Sequence, residues 1–166
     1  RTGDRVDGAI DRLRGEAPDG RFLPAPGDVG AAGGAARVIE AVPEVDILVN
    51  NGAIGSLGNV VEETLDNYQR VVDISQTGTW LGMKHAGALI ERSGGGSIVN
   101  TISGLVLFGD PAHAGYGASK AGSIALTKHI ASRWGRDGIR CNLVAPGFIM
   151  TDRGEQIIPA EQRAAL

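Results

Sequence analysis

The sequence is poor in cysteine, in aromatic residues and in clustered basic residues. Its single cysteine, Cys141, excludes a disulfide within the 166 residues, and its apolar surroundings, "IRCNLVAP", indicate a small buried side chain rather than a nucleophile. Aromatic residues make up 4% and the formal net charge is −3. The sequence therefore lacks both the stacking platform and the basic patch of a nucleic-acid-binding protein.

Long apolar runs are also missing. No run approaches the roughly 18 residues that a membrane-spanning helix requires, and the first residues are polar and charged, unlike a signal peptide. We therefore expect a cytoplasmic protein that makes no membrane contact. The three histidines, His85, His113 and His129, are dispersed without the spacing of metal ligands, so no metal site is predicted.

Glycine is the one abundant residue type. The 26 glycines are about twice the average usage and lie between the predicted elements, which indicates backbones that approach each other or a ligand closely. The rest of the composition, 42% apolar and 21% charged, is that of an ordinary globular protein. Without a linker or an internal repeat, residues 1–166 are interpreted as a single domain.

Strand-like and helix-like segments alternate along the chain. Short apolar runs predict strands at "RFLPAP" (21–26, weakened by two prolines), "VDILVNN" (45–51, buried on both faces), "SIVNTIS" (97–103) and "IRCNLVAPG" (139–147). Helical patterns cover residues 31–42, about 61–92 and about 116–136. This alternation with short links predicts an α/β fold, a doubly wound parallel sheet.

Ligands bind beyond the carboxyl ends of the strands in such sheets. There, "HAGYGASKAGS" (113–123) places Tyr116 one helical turn before Lys120, so both side chains share a helix face. A nearby ammonium favours the phenolate and lowers the pKa of a tyrosine from about 10, which gives a proton donor usable near neutral pH. Ser103, at the end of a predicted strand, supplies a hydroxyl. The alternative is a closely packed helix that happens to carry a tyrosine.

Several stretches together resemble the short-chain dehydrogenase/reductase family. They are, in the family's order, "DILVNN", "TGTWLGMKHA", "GGSIVNTIS", "YGASKAGSIALTKHIA" and "IRCNLVAPGFIMTD". The resemblance implies a Rossmann-like fold and hydride transfer between NAD or NADP and a small-molecule alcohol or ketone. It assigns proton exchange to Tyr116, pKa lowering and ribose binding to Lys120, and carbonyl polarisation to Ser103.

The resemblance also implies the cofactor-binding residues. Asp28 and Val29 match the pair that borders the adenine, and Asn51, Gly52 and Ala53 match the loop along the adenine-side ribose. The turn that holds the nicotinamide corresponds to Pro146, Gly147, Ile149 and Thr151. Structural alternatives remain open: Asp28 as a cap of the following helix, Asn51 as a partner for loop backbone groups, and Pro146–Gly147 as a plain turn.

Two local departures from the family pattern affect the predicted site. Ser75 stands where the family usually has an asparagine that helps to bind a water in the proton relay to the lysine. Serine also holds a water but is shorter, so we predict a working but slower relay. The second departure is "NNGA" (50–53) in place of Asn-Asn-Ala-Gly, which moves the glycine that can adopt positive φ beside the cofactor.

The resemblance begins after the family's first two strands and ends before its last. The family's glycine-rich phosphate turn precedes Arg1, and "GDVGAAGG" (27–34) and "GAIGSLG" (52–58) are its possible substitutes. Because the missing strands would leave a gap in the sheet, we expect the sequence to be part of a chain of roughly 250 residues. The residue that selects NAD or NADP is also missing, so the choice stays open.

The leading interpretation is an NAD(P)-dependent alcohol dehydrogenase or carbonyl reductase. Its rivals are a non-catalytic nucleotide sensor or scaffold with the same fold, and an epimerase or dehydratase of the related extended group. The apolar helix faces within 65–90 and 121–134 correspond to those that pair subunits in the family. A homotetramer is therefore expected, with a dimer as the alternative.

Overall fold

The computed structural model describes residues 3–55 and 58–149. The helices are α1 (Gly3–Glu16), α2 (Ala32–Glu40), α3 (Leu65–Val72), α4 (Gly78–Arg92), α5 (Leu105–Phe108) and α6 (Ala114–Trp134). A π-helical turn, Asp73–Thr77, joins α3 to α4, and a 3-10 turn, Gly135–Asp137, follows α6. The strands are β1 (Ile47–Asn50), β2 (Gly96–Thr101) and β3 (Ile139–Val144).

The three strands form one parallel sheet in the order β1-β2-β3. Leu48 pairs with Ile98, which in turn pairs with Cys141 on the other side. The predicted fold class, a Rossmann-like α/β domain with a parallel sheet, is confirmed. Because all strands run the same way, their carboxyl ends lie along one edge, where the proposed site is expected.

The core lies between the sheet and the helices α4 and α6. Leu48, Ile98 and Cys141 pack there with Met83 and Ile90 from α4, and Met83, Ile90 and Ile98 are fully buried. Cys141 is 7% exposed, and burial raises the pKa of its thiol. The expected small buried side chain at this position is confirmed.

The strand predicted at 21–26 is wrong, and the burial predicted for β1 is wrong in part. The segment 21–26 forms no strand in the described chain; it is largely exposed, and Pro24 and Pro26 remove two of the amide donors that a ladder requires. β1 is not buried on both faces, since Ile47 and Val49 are 65% and 60% exposed. The reason is that α4 contacts β1 on the side that carries Leu48, whereas Ile47 and Val49 alternate to the other side.

The long second helix begins later than predicted and is interrupted. Thr64 precedes α3, and its hydroxyl accepts a hydrogen bond of 3.2 Å from the amide of Asn67, which fixes the start of the helix. The π-helical turn then brings Ser75 into the interior, fully buried. Among residues 3–55 and 58–149, no helix combines the length and the apolarity needed to cross a membrane.

Candidate active site

The backbone hydrogen bonds between β2 and β3 continue past the ends of the strands and connect the two segments that carry site residues. The amide of Ile102 donates to the carbonyl of Val144 at 2.9 Å, and that of Gly104 donates to the carbonyl of Pro146 at 3.0 Å. Ser103 therefore lies between two residues that are tied to the segment after β3. Its hydroxyl accepts a hydrogen bond of 3.3 Å from the amide of Leu105, which begins α5.

Tyr116 and Lys120 lie in the first two turns of α6, as predicted. The Nζ of Lys120 lies 5.6 Å from the centroid of the Tyr116 ring. It donates a hydrogen bond of 2.6 Å to the carbonyl oxygen of Thr101, the last residue of β2. Lys120 is 2% exposed, so a charged side chain is held inside the molecule at the carboxyl edge of the sheet.

Burial shifts the pKa values of both Tyr116 and Lys120. Burial raises the pKa of the Tyr116 phenol, and the hydrogen bond with the Ser103 side chain acts in the opposite direction. Burial also lowers the pKa of Lys120. Burial is the larger effect on the phenol, because it removes water from around the phenolate. That Lys120 lowers the pKa of the phenol stays a prediction.

Ser75 anchors the loop that follows β1. Its hydroxyl donates to the carbonyl of Ile54 and accepts from the amide of the same residue, both at 3.2 Å. The single hydroxyl proton is thus used by Ile54, and one acceptor position is left for a water. The structure gives Ser75 a definite structural contact, and its place in a proton relay stays a prediction.

Of the predicted cofactor residues in the first third of the chain, only some line a common cavity. Val29, Asn51 and Gly52 line one cavity of about 130 Å³, together with residues of β1 and α4. Asp28 lies outside this cavity, and its carboxylate accepts a hydrogen bond of 3.0 Å from the amide of Gly30. That contact closes the turn before α2, so the alternative of Asp28 as the helix cap itself is wrong.

The remaining predicted cofactor residues lie in exposed loops. Ala53 and Gly147 are exposed, Ile149 is 64% exposed, and Pro146 is tied to Gly104 as described. Thr151 lies outside the described residues, as does Arg1. In the stretch 27–34, a Cβ at Gly34 would collide with the backbone of Asp28, so this glycine allows close packing of the chain against itself.

Two contacts at the site could not be predicted from sequence patterns. The carbonyl of Thr101 binds Lys120, and the side chain of Glu63 accepts a hydrogen bond of 3.0 Å from the amide of Gly115, next to Tyr116. Backbone carbonyls carry no residue signal, and Glu63 lies 52 positions from its partner. Neither contact has a local motif from which it could be predicted.

Comparison with known proteins identifies the family. A sequence model described as enoyl-(acyl carrier protein) reductase matches residues 5–165. A 3α-hydroxysteroid dehydrogenase from Mediterraneibacter gnavus is 34% identical over 151 residues, which are 89% of this chain and 60% of that protein. A short-chain type dehydrogenase/reductase from Mycobacterium ulcerans superimposes with a TM-score of 0.92 at 27% identity, over 99% of this chain and 62% of that one.

The chain belongs to the short-chain dehydrogenase/reductase family. A 3-oxoacyl-[acyl-carrier-protein] reductase from Synechocystis is a further relative, 37% identical over 113 residues, which are 68% of this chain and 46% of that protein. Levodione reductase superimposes with a TM-score of 0.89 at 28% identity, over 99% of this chain and 67% of that one. The chain spans 46% and 60% of the length of the two curated relatives, about half.

The described residues include hydrogen-bond donors suited to the dinucleotide that a short-chain dehydrogenase/reductase is expected to bind. Lys120 has three N–H donors, of which one binds Thr101, so two stay available for ribose hydroxyls. The cavity beside Asn51 and Gly52 is lined by β1, α2 and α4, and Lys120 is not part of its lining. Lys120 therefore retains donors that a nicotinamide ribose would need, and the cavity lies beside the residues assigned to the adenine-side ribose.

Proposed function

We propose that this protein is an NAD(P)-dependent oxidoreductase that interconverts a secondary alcohol and a ketone. One observation carries the proposal: the buried ammonium of Lys120 binds the end of β2 and lies 5.6 Å from the centroid of the Tyr116 ring. Ser103 follows the same strand end, two residues after Thr101. These three groups meet at the carboxyl edge of a parallel sheet, where such folds bind their ligands. The relatives named as dehydrogenases and reductases support the same reaction class.

In the reductive direction, Tyr116 gives its phenolic proton to the carbonyl oxygen of the substrate. The cofactor, NADH or NADPH when bound, would supply the hydride needed at the carbonyl carbon. The Ser103 hydroxyl donates a hydrogen bond to the same oxygen and stabilises the charge that develops on it. Lys120 stabilises the phenolate that is left and holds the nicotinamide ribose. In the oxidative direction the phenolate removes the proton from the alcohol.

Ser75 has the secondary role in this proposal. Through Ile54 it fixes the loop that carries Asn51, Gly52 and Ala53 beside the adenine-side ribose. A water on its free acceptor position would relay protons from Lys120 towards solvent. Val29 and Asp28 would border the adenine, and the segment from Pro146 through Gly147 and Ile149 to Thr151 would hold the nicotinamide.

We also propose that the protein assembles as a homotetramer, with a dimer as the alternative. Large apolar side chains are exposed on the helices α3 and α4: Leu65 is 77%, Tyr68 39% and Trp80 42% exposed. Ala121 and Ala125 lie exposed on α6 and leave room for a close approach. Light scattering on the full-length protein measures the assembly directly, and a monomer would contradict this part of the proposal.

The decisive assay follows the near-ultraviolet absorbance of the reduced nicotinamide. The full-length protein is incubated with NADH or NADPH and a panel of ketones, and with NAD or NADP and a panel of secondary alcohols. Turnover with at least one pair supports the oxidoreductase. Cofactor binding without turnover would instead favour a sensor or scaffold, and conversion of a sugar substrate without net change in absorbance would favour an epimerase.

A further inference from the structure

Glu63 joins two helix starts that lie far apart in the sequence. It immediately precedes Thr64, the N-cap of α3, and its Oε1 accepts a hydrogen bond of 3.0 Å from the side-chain amide of Asn67. Its other oxygen, Oε2, accepts the 3.0 Å bond from the amide of Gly115 in the first turn of α6. Both oxygens of one partly buried carboxylate are therefore engaged, each with a different helix.

The amide of Gly115 needs such a partner. The first amides of a helix have no carbonyl within the helix to bind, and a side chain at the N-cap commonly takes over this role. In the part of the chain that the structure describes, His113 at the N-cap of α6 gives no side-chain hydrogen bond to the helix. Glu63 supplies the acceptor from outside, and its negative charge also suits the positive end of a 21-residue helix.

The surrounding backbone strengthens this connection. The amide of Gly58 donates to the carbonyl of Ala112 at 3.0 Å, and Gly58 forms a parallel bridge with His113. Gly115 itself allows the close approach, because a Cβ there would lie 2.9 Å from Oε1 of Glu63 and 3.0 Å from Cδ2 of Tyr68. The segment from Gly58 to Glu63 is thus fitted closely against the start of α6.

Tyr116 follows Gly115 directly, so the position of its backbone depends on this fit. The hydroxyl of Tyr116 must reach both Ser103 and a substrate, and Ser103 belongs to a different element, the segment after β2. Small displacements of reacting groups are costly in catalysis. A loosened first turn of α6 would move the phenol relative to Ser103 while leaving the buried Lys120, one turn further along, in place.

We propose that Glu63 is a positioning residue that holds Tyr116 in register with Ser103. The inference rests on the proposed oxidoreductase activity and adds a residue to it. Glu63 touches neither substrate nor cofactor in this account; it acts through the amide of Gly115. Removing its carboxylate should therefore lower kcat and leave the KM for the cofactor nearly unchanged.

The test compares three substitutions at Glu63 with one at its neighbour in the full-length protein. Glu63→Ala should lower kcat about 10-fold, and Glu63→Gln should restore it to within about twofold, since an amide oxygen still accepts the Gly115 bond. Glu63→Asp keeps the charge but is shorter, and should fall between them, which also covers failure of the alanine variant to fold. Glu62→Ala is the matched control, because within residues 3–55 and 58–149 the carboxylate of Glu62 accepts a hydrogen bond only from the nearby amide of Asn59, at 3.4 Å.

Amide hydrogen exchange at residues 115–117 provides a second readout that needs no turnover. Exchange there should be about 10-fold faster in Glu63→Ala than in the wild type or Glu62→Ala. Equal kcat in Glu63→Ala and Glu62→Ala would overturn the inference, even if exchange changed, because the contact would then be purely structural. Unchanged exchange would overturn it as well. A wild type that binds cofactor but turns over no substrate would refute the proposed function, and the positioning role with it.

Discussion

Lys120 and Ile149 are two residues of the proposed site that differ widely in solvent exposure. Lys120 is 2% exposed and held by the end of β2, whereas Ile149, in the loop after β3, is 64% exposed. The same contrast separates the catalytic half (Ser103, Tyr116 and Lys120) from the cofactor loops (residues 28–29, 51–53 and 146–149). In the catalytic half Lys120 is buried and Ser103 and Tyr116 are partly buried, whereas most residues of the cofactor loops are exposed.

A buried polar column on α6 anchors the helix that carries Tyr116 and Lys120. The hydroxyls of Ser119, Ser123 and Thr127 donate in succession to carbonyls three or four residues earlier. Thr127 accepts a 2.9 Å bond from the side-chain amide of Asn100, whose oxygen accepts a 2.8 Å bond from Asn50. This chain ties α6 to β2 and β1 through the core. The cofactor loops have few such contacts, mainly Ser75 to Ile54 and Gly104 to Pro146.

This difference suggests that the proposed proton-transfer groups are more firmly held than the loops proposed to bind the cofactor. Groups fixed in advance reduce the cost of reaching the reactive geometry. Exposed loops with few anchors are free to adjust to the dinucleotide that they are proposed to hold. Substitutions in the two halves should consequently change different measured quantities.

The largest effect is expected from Lys120→Met. Turnover should fall about 10²- to 10³-fold, because the tyrosine loses the ammonium that stabilises its phenolate. The free energy of unfolding should change by less than about 1 kcal/mol, since losing the bond to Thr101 is offset by no longer burying a charge. Steady-state kinetics and urea unfolding measure the two quantities. The control is Lys128→Met, at an exposed position of the same helix, and an equal loss of turnover there would contradict the account.

Asn100→Ala tests the buried column. The substitution leaves Asn50 and Thr127 without their partner and opens a small cavity, so the free energy of unfolding should fall by about 2–4 kcal/mol. Asn142→Ala, on the exposed part of β3, is the matched control and should cost less than about 0.5 kcal/mol. If both variants unfold at the same denaturant concentration, the column contributes nothing to the stability of the catalytic half.

A smaller effect is expected from Ser75→Ala. Both hydrogen bonds to Ile54 are lost, so the loop at residues 51–53 is less well held and cofactor affinity should drop about fivefold, equivalent to about 1 kcal/mol. Titration of the nucleotide by fluorescence or calorimetry gives the dissociation constant. Ser132→Ala, an exposed serine of α6, should leave that constant unchanged. A dissociation constant equal to the wild type's in Ser75→Ala would show that the loop needs no such anchor.

The smallest expected change is a displacement of the Tyr116 titration. Burial raises the phenol pKa in the protein without cofactor, so the phenol stays protonated up to a higher pH than the ordinary value of about 10. The difference in ultraviolet absorbance between the wild type and Tyr116→Phe, recorded across alkaline pH, isolates this group. A transition below the ordinary value would contradict the burial of the phenol, and would instead agree with stabilisation by Lys120 in the free protein.

Local patterns were sufficient to predict much of the fold and part of the site. The apolar runs of β2 and β3 identify those strands, and the spacing of Tyr116 and Lys120 places both side chains in the first turns of α6. The charged helix α1 was missed, although Val6, Ile10 and Leu13 recur at helical spacing and Ile10 is 8% exposed. Because most of the other residues of α1 are charged, the few apolar residues form only a weak helical pattern in the sequence.

Other features depend on neighbours that are distant in the sequence. A strand at 21–26 would need a partner that the sequence alone does not guarantee, and the described chain provides none for it. The direction of the Tyr116 pKa shift follows from burial, which depends on the packing of the whole domain. Likewise, nothing near Glu63 predicts its bond to Gly115, since loop closure over 52 residues brings them together.

Tyr116→Phe tests most directly whether Tyr116 transfers the proton. The variant keeps the aromatic ring against Lys120 and removes only the hydroxyl. Turnover of an established alcohol or ketone substrate should fall by about 10³-fold or more, while the dissociation constant of the nicotinamide cofactor stays within about twofold of the wild type. Turnover close to the wild-type rate, with cofactor binding intact, would contradict the assignment of Tyr116 as the acid and base of this site.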